Sequence, residues 1–439
     1  MSANINLDLH PWKVFHAGDN IHGTVKIDIL SSLSVTNVQV KLIGLASTRY
    51  TQQLGQSTVV HEEDHDLVYD VCTIFPPYAM DGAMTSKSYT LPEGKTLESQ
   101  FRFKLPFTAH CGDTNSRLSS HFNTSSREQD FAVTMKHNKE GKPEKHAQNS
   151  ILPPTFIKRT QLNSNKAEVS YFIKVTMRRS SKFTTNIRKT FPLRLSIPPP
   201  DPFPHEDRVM VVSDMLKVSK RADGSPVNPV KLLFKSSSEK FDIHFRLAFF
   251  RSRFVFPGQR IKPYVLVLSD TSPYTFQSDG NEKKESVTNS NGMGVLYIKK
   301  YSLKLDTRTI FYTDGIKEKS KSSVELAADS KPQKFDLADM VLIEEVPLSW
   351  MLGTYSMKYG LDISGLFEDV VLPDLVPTFQ TCTIDHNHWM ELVIKIGSSA
   401  DVWASSVKVK LPHSCVVVGR APQTEPDEVL PSYNESKNN

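Results

Sequence analysis

The chain of 439 residues is poor in several things at once. It has only four cysteines, Cys72, Cys111, Cys382 and Cys415, widely separated and with no C-x-x-C pair. That spacing argues against a disulfide framework and a cysteine-rich zinc site, and points to a reducing compartment. Nineteen glycines and 27 prolines are too few for a collagen-like or low-complexity chain. Long apolar runs are missing; the longest, such as Tyr264 to Leu268, fall far short of the roughly 20 residues that a membrane helix needs. The opening Met1 to His10 alternates polar and apolar residues rather than building a secretory signal. Charge of one sign is not in excess either: Lys+Arg 53 against Asp+Glu 48 leaves +5, too little to argue for nucleic-acid binding. A Gly-rich phosphate loop is absent, and no Ser-His-Asp, Cys-His or paired-carboxylate arrangement stands out, so no enzyme class is indicated. The remaining expectation is a cytoplasmic, non-enzymatic protein of two or three domains that visits membrane surfaces and needs no cofactor.

What the chain does have is a period of two. Ile5, Leu7 and Leu9 alternate with Asn6 and Asp8; Val25, Ile27 and Ile29 with Lys26 and Asp28; Val38, Val40 and Leu42 with Gln39 and Lys41. Such alternation puts one apolar face inward and one polar face outward, as a half-buried antiparallel strand requires. Similar runs recur at Phe101 to Leu105, Tyr171 to Met177, Phe241 to Leu247, Ile261 to Leu268, Tyr301 to Leu305, Trp389 to Ile396 and Val407 to Leu411. Many short strands split by Gly, Pro, Ser and Asn clusters predict an all-β, immunoglobulin-like antiparallel β-sandwich architecture.

An internal repeat divides the chain in two. At an offset of 240, Gly18 matches Gly258, Ile21 matches Ile261, Val25 matches Val265 and Ile27 matches Val267. Each copy reads as a glycine turn feeding a strand with one buried face. A second marker follows in the same order: Leu152-Pro153-Pro154-Thr155-Phe156 in one half and Val376-Pro377-Thr378-Phe379 in the other. We therefore expect two copies of one sandwich, at 1–200 and 239–418, with 201–238 as linker. Residues 112–150 read as a mobile polar insertion, and 419–439 as a disordered tail.

These motifs resemble the arrestin family. Phe15 to Val25, Leu91-Pro92-Glu93-Gly94 followed by Phe101-x-Phe103-x-Leu105-Pro106, and the Pro-Pro-Thr-Phe element with Val169 to Val175 look like an arrestin N-terminal domain. Residues 254–267 and 376–396 look like its C-terminal domain. The likeness is to the fungal arrestin-related trafficking adaptors (alpha-arrestins). The paired lysines with which visual-type arrestins sense receptor phosphates are absent from Trp12-Lys13-Val14-Phe15-His16. The resemblance implies twin seven-stranded sandwiches that bind plasma-membrane transporter or receptor cargo. It also implies recruitment of a WW-domain, HECT-type ubiquitin ligase, at the plasma membrane or endosomes.

Two segments carry candidate chemistry. Leu430-Pro431-Ser432-Tyr433 is an L-P-x-Y sequence, suited to a polyproline II peptide whose proline stacks in an aromatic groove while the tyrosine fills the next pocket. Residues 156–195 hold ten Lys+Arg against one acid, Glu168. If Lys174, Arg178, Arg179, Lys182, Arg188 and Lys189 share a sheet face, they suit an acidic or phosphorylated cargo tail or an anionic membrane surface. Nucleic acid is not expected, because exposed stacking aromatics are not interleaved with them. Two rival readings stand beside the adaptor. One is an arrestin-fold scaffold or retromer-like coat subunit without ligase recruitment. The other is a zinc hydrolase using the H-E-x-x-H residues His61, Glu62 and His65, although their surroundings favour an exposed hairpin over the required helix.

Overall fold

The computed structural model describes residues 2–9, 13–76, 88–109, 112–113, 151–160, 165–181, 184–198, 208–221, 224–226, 240–277, 290–352, 356–401 and 404–419. The L-P-x-Y tail, Lys182 and nearly all of the 112–150 insertion lie outside them. The first half contributes β1 (Ala3–Asp8), β2 (Val14–Phe15), β3 (Asn20–Ile29), β4 (Leu33–Leu54), β5 (Ser57–Phe75), β6 (Tyr89–Leu91), β7 (Thr96–Lys104), β8 (Gly112–Asp113), β9 (Phe156–Arg159), β10 (Lys166–Arg179) and β11 (Ile187–Leu195). The second half begins with β12 (Arg208–Val212), β13 (Leu216–Arg221), β14 (Lys240–Ser252), β15 (Phe254–Val255), β16 (Arg260–Ile261) and β17 (Tyr264–Ser269). It continues with β18 (Val295–Thr313), β19 (Ile316–Asp329), β20 (Gln333–Asp336), β21 (Val341–Leu342), β22 (Tyr359–Asp362), β23 (Val370–Val371), β24 (Phe379–Gln380), β25 (Ile384–Gly397) and β26 (Ser406–Val417). Short 3-10 turns punctuate the second half, and no α-helix occurs among the described residues.

Each half is a two-sheet sandwich closed on its own apolar core. In the first, a β1-β3-β7 sheet faces a larger sheet ordered β2-β11-β10-β4-β5-β8. Alternation does the work: Tyr171, Ile173, Val175 and Met177 of β10 are all buried, as are Val38, Val40 and Leu42 of β4, so intervening polar residues face out. In the second, β12-β14-β17-β22-β21 faces β15-β26-β25-β18-β19. β14 and β17 are apolar on both faces. Leu247, Phe249, Val265 and Val267 join the main core, whereas Ala248, Phe250, Leu266 and Leu268 pack under Val346, Leu352 and Met357.

Three sequence expectations change. Residues 208–221, read as linker, form β12 and β13, which pair with β14. The run Ile261 to Leu268 breaks into β16 and β17, since Pro263 between them has no N–H to give to a ladder. Cys382 is disulfide-bonded, whereas Cys72 and Cys415 are free thiols; wide spacing in sequence concealed this, because tertiary packing decides which sulfurs meet.

The internal repeat is reproduced hydrogen bond by hydrogen bond. Gly18, at φ 88°, donates to the Leu105 carbonyl; Gly258, at φ 77°, donates to Leu372. Leu105 N–H returns to the Asp19 carbonyl and Leu372 N–H to Gln259, both at 2.9 Å. Beside these turns, β2 runs parallel to β11 and β15 parallel to β26. The two threonines of the second marker then clasp those last strands. Thr155 donates its N–H to Leu195 O (3.0 Å) and accepts Leu195 N–H on Oγ1 (2.9 Å). Thr378 does the same with Val417 (2.8 and 2.9 Å). Even the next layer repeats: Tyr171 Oη donates to Pro153 O at 2.8 Å, and His388 Nε2 to Val376 O at 2.9 Å.

The halves meet through equivalent parts. Phe156 and Phe379, each following its threonine, stack edge to face with centroids 5.0 Å apart. His386 lies 4.9 Å from the Phe156 ring, and Phe311, Phe379 and Ile384 of the second half enter the first half's core cluster. Gly419 N–H donates to Ile197 O at 2.7 Å, joining the residues that follow the two last strands.

Candidate functional site

The site grows from β10. Because Tyr171, Ile173, Val175 and Met177 point into the core, Lys174, Thr176 and Arg178 project from the outer face of the first half's large sheet. On its two flanks, β4 sets Lys41 directly opposite Lys174, and β11 sets Arg188 directly opposite Thr176. A bulge between Arg178 and Arg179 interrupts the pairing with β4. A bulge lets neighbouring side chains share one rim, and both arginines line the same concavity.

That concavity has a volume of about 530 Å³ and is lined by Lys41, Lys174, Arg178, Arg179 and Arg188 together with Tyr69 of β5. Hydroxyl and amide groups of Thr36, Thr176, Thr184 and Asn186 fill the gaps, and no carboxylate lines it among the described residues. Lys41 Nζ donates to Tyr69 Oη at 3.0 Å, which fixes the ammonium at the floor. Arg179 is held by its Nη2 on Ser2 Oγ (2.7 Å) and its backbone N–H on Asn186 Oδ1 (3.1 Å), while its Nε is buried without a hydrogen-bond partner. Like charges directly opposite one another across a sheet are destabilising. An anion in the concavity would reverse that term and receive several charge-assisted hydrogen bonds at once.

Of the six cations read from the sequence, Lys174, Arg178, Arg179 and Arg188 converge here. Lys189 does not: it pairs with Val175 on the other face, its Nζ 5.5 Å from the Phe191 ring. Lys182 lies outside the described residues, as do Leu430, Pro431, Ser432 and Tyr433. Sequence reading missed Lys41 and Tyr69, which come from strands more than a hundred residues away. The alternation of Val40 and Leu42 around Lys41 was the available signal.

His61, Glu62 and His65 lie in the middle of β5. Four residues of strand span about 13 Å, so the two histidines cannot share a metal as they would on a helix. Glu62 faces the other way and meets Arg49 at 3.5 Å, His61 Nδ1 meets Asp314 at 3.1 Å, and His65 Nε2 meets Glu63 at 2.8 Å. Among the described residues no group of three or more His, Cys, Asp or Glu side chains is placed to hold a metal ion.

Residues 3–138 match the arrestin (or S-antigen) N-terminal domain. The first half carries an arrestin-like N-terminal domain. The matched stretch takes in β1 to β8, including Lys41 and Tyr69 of the concavity, and ends before β9 to β11 supply its arginines. No curated protein matches the chain. The second half, outside the match, repeats the turn, threonine clasp and parallel strand pair of the first.

Proposed function

We propose that this arrestin-like protein is a ubiquitin ligase adaptor of the alpha-arrestin type found in fungi. Its two sandwiches hold a cytosolic segment of a plasma-membrane transporter or receptor, by strand addition at an open sheet edge and by basic contacts. Its tail tethers a WW-domain, HECT-type ubiquitin ligase through Leu430-Pro431-Ser432-Tyr433. Tethering raises the ligase's effective concentration beside cargo lysines, so modest individual affinities suffice. Ubiquitination then sends the cargo into endocytosis. The protein works in the cytoplasm and is drawn to the plasma membrane or endosomes by its cargo; among the described residues no helix is long and apolar enough to cross a membrane.

The observation that carries this reading is the combination on one chain of a basic concavity on an arrestin-like sandwich with an L-P-x-Y sequence eleven residues past Gly419. A general trafficking role follows from the arrestin fold; the ligase step rests on the tail. The test is a WW-domain pull-down from purified protein. Wild type should be recovered and Tyr433→Ala should fall to background. Equal recovery of both would leave a scaffold or retromer-like subunit as the better description.

A further inference from the structure

The second sandwich ends in an uncovered strand. β19 is 14 residues long, lies last in its sheet and pairs only with β18 among the described residues. Its register with β18 is continuous from Thr313↔Ile316 to Lys304↔Glu325, so ten residues run straight with their outer backbone groups free of a ladder. Lys317, Lys319 and Lys321 alternate along it on the outer face, all exposed, and none makes an ion pair among the described residues. Arg308 of β18 sits opposite Lys321, with its guanidinium 4.3 Å from the centre of the Trp389 ring and its Nε buried without a hydrogen-bond partner. The acids on this face are displaced from the lysines. Asp306 is opposite Ser323, Asp385 receives the Asn387 amide, and Glu325 meets Lys304 at 4.0 Å near the far end. Lys321 first, then burial, then Arg308 and Lys317 hold the Lys319 ammonium below its ordinary value.

The first sandwich indicates what this edge is for. By the repeat, β5 occupies the place of β19, each being the outer arm of the long hairpin beside the central pair of strands. The β5 edge already carries an added strand, with β8 pairing antiparallel at His65 and Asp66. In the second sandwich no described strand takes that position.

We infer that β19 is a docking edge that takes an extended acidic peptide segment as an added strand, with acidic side chains at every second position facing Lys317, Lys319 and Lys321. Directly opposite residues in an antiparallel pair stand about 5 Å apart, so a spacing of two in the partner matches the spacing of two in the lysines. Edge lysines ordinarily repel incoming strands. Here they act as a filter, because a neutral or basic strand leaves three ammonium groups crowded and an acidic one neutralises them. This deepens the cargo-holding half of the proposed function and is independent of the tail.

The test uses the full chain and two fluorescent ten-residue peptides of one composition, five Glu and five Thr, either alternating or with all Glu in one block. Anisotropy should show the alternating peptide binding at least tenfold more tightly. Its addition should slow amide exchange across 316–329. Lys317→Glu/Lys319→Glu/Lys321→Glu should weaken it at least tenfold, and Lys319→Ala alone by a smaller factor. Equal binding of the two peptides, unchanged exchange in β19, or indifference to the triple reversal would each overturn the inference. So would binding of phosphatidylserine vesicles through these lysines with no binding of either peptide. Loss of β19 binding with intact Tyr433-dependent WW recovery refutes this edge alone; the converse refutes the ligase step alone.

Discussion

Thr155 and Thr378 do the same work 223 positions apart, each giving and taking one hydrogen bond with the last strand of its own sandwich. Replacing either with valine keeps the shape and leaves a strand N–H unsatisfied, at a cost of about 1–3 kcal/mol in unfolding free energy by denaturant titration. Gly44 tests packing instead. A Cβ there would lie 2.6 Å from the Tyr171 ring, which is buried and anchored on Pro153. Gly44→Ala should therefore destabilise by ~1–3 kcal/mol, the range for overpacking, and lower the melting temperature accordingly. His386 and His388, at the junction, give a pH signature. Burial, aided by the charges of His388 and Lys158, pushes His386 down to about 3, and burial pushes His388 down to about 4. The unfolded chain, with histidines near 6.5, binds these protons first. Stability is thus fully present above that value and falls as pH drops towards about 4 and about 3, with a slope of about 1.4 kcal/mol per pH unit for each histidine. Denaturant titrations at several pH values should show this loss, and His386→Phe/His388→Gln should flatten it. An unchanged slope in the double variant would show that other groups carry the acid sensitivity.

Between elements, the contact of the two long hairpins is the part most open to adjustment. The β18–β19 turn is Asp314-Gly315, both at positive φ, the two-residue hairpin geometry these residues favour. Asp314 N–H donates to Glu63 Oε2 at 2.7 Å, and Thr48 Oγ1 donates to Tyr312 O at 2.7 Å. Glu63→Ala should raise exchange of the Asp314 amide about tenfold, a change of about 1.4 kcal/mol, with little effect on global stability because the pair is exposed. Much at this scale was legible in the sequence. Period-two patterning located the long strands, and the ten cations of 156–195 located β10 and β11. The split of those cations between two faces was legible only where the alternation is strict. Lys174, Arg178 and Arg188 sort to one face by counting in twos from the core, but the bulge at Arg178/Arg179 breaks the count. The β19 lysines escaped notice because Ile316 to Leu326 mixes Lys with Glu318 and Glu325. Summed charge over such a window is small; the pleat separates the lysines from Glu318, and distance along the strand separates them from Glu325.

At the scale of the whole molecule, duplication organises everything. Each copy of the Pro-Thr-Phe marker places a threonine on its own last strand and a phenylalanine against the other copy's phenylalanine, so one short motif closes each sandwich and joins the pair. Both markers were visible in the chain; their meeting at Phe156 and Phe379 was not, since contacts between distant segments leave no local trace. The arrangement leaves two cationic surfaces on the outer faces of corresponding sheets, one concave at β10 and one along the β19 edge. The central claim is that gripping and ligase recruitment are separable jobs of one chain. It is tested most directly by proximity labelling of membrane proteins, read together with their ubiquitination. The versions to compare are wild type, a version lacking the last twelve residues, and Lys174→Glu/Arg178→Glu/Arg188→Glu. The shortened chain should label the same membrane proteins while their ubiquitination drops, and the charge-reversed chain should lose the labelling itself. Unchanged ubiquitination after removal of the last twelve residues, or unchanged labelling after reversal of the concavity, would contradict it.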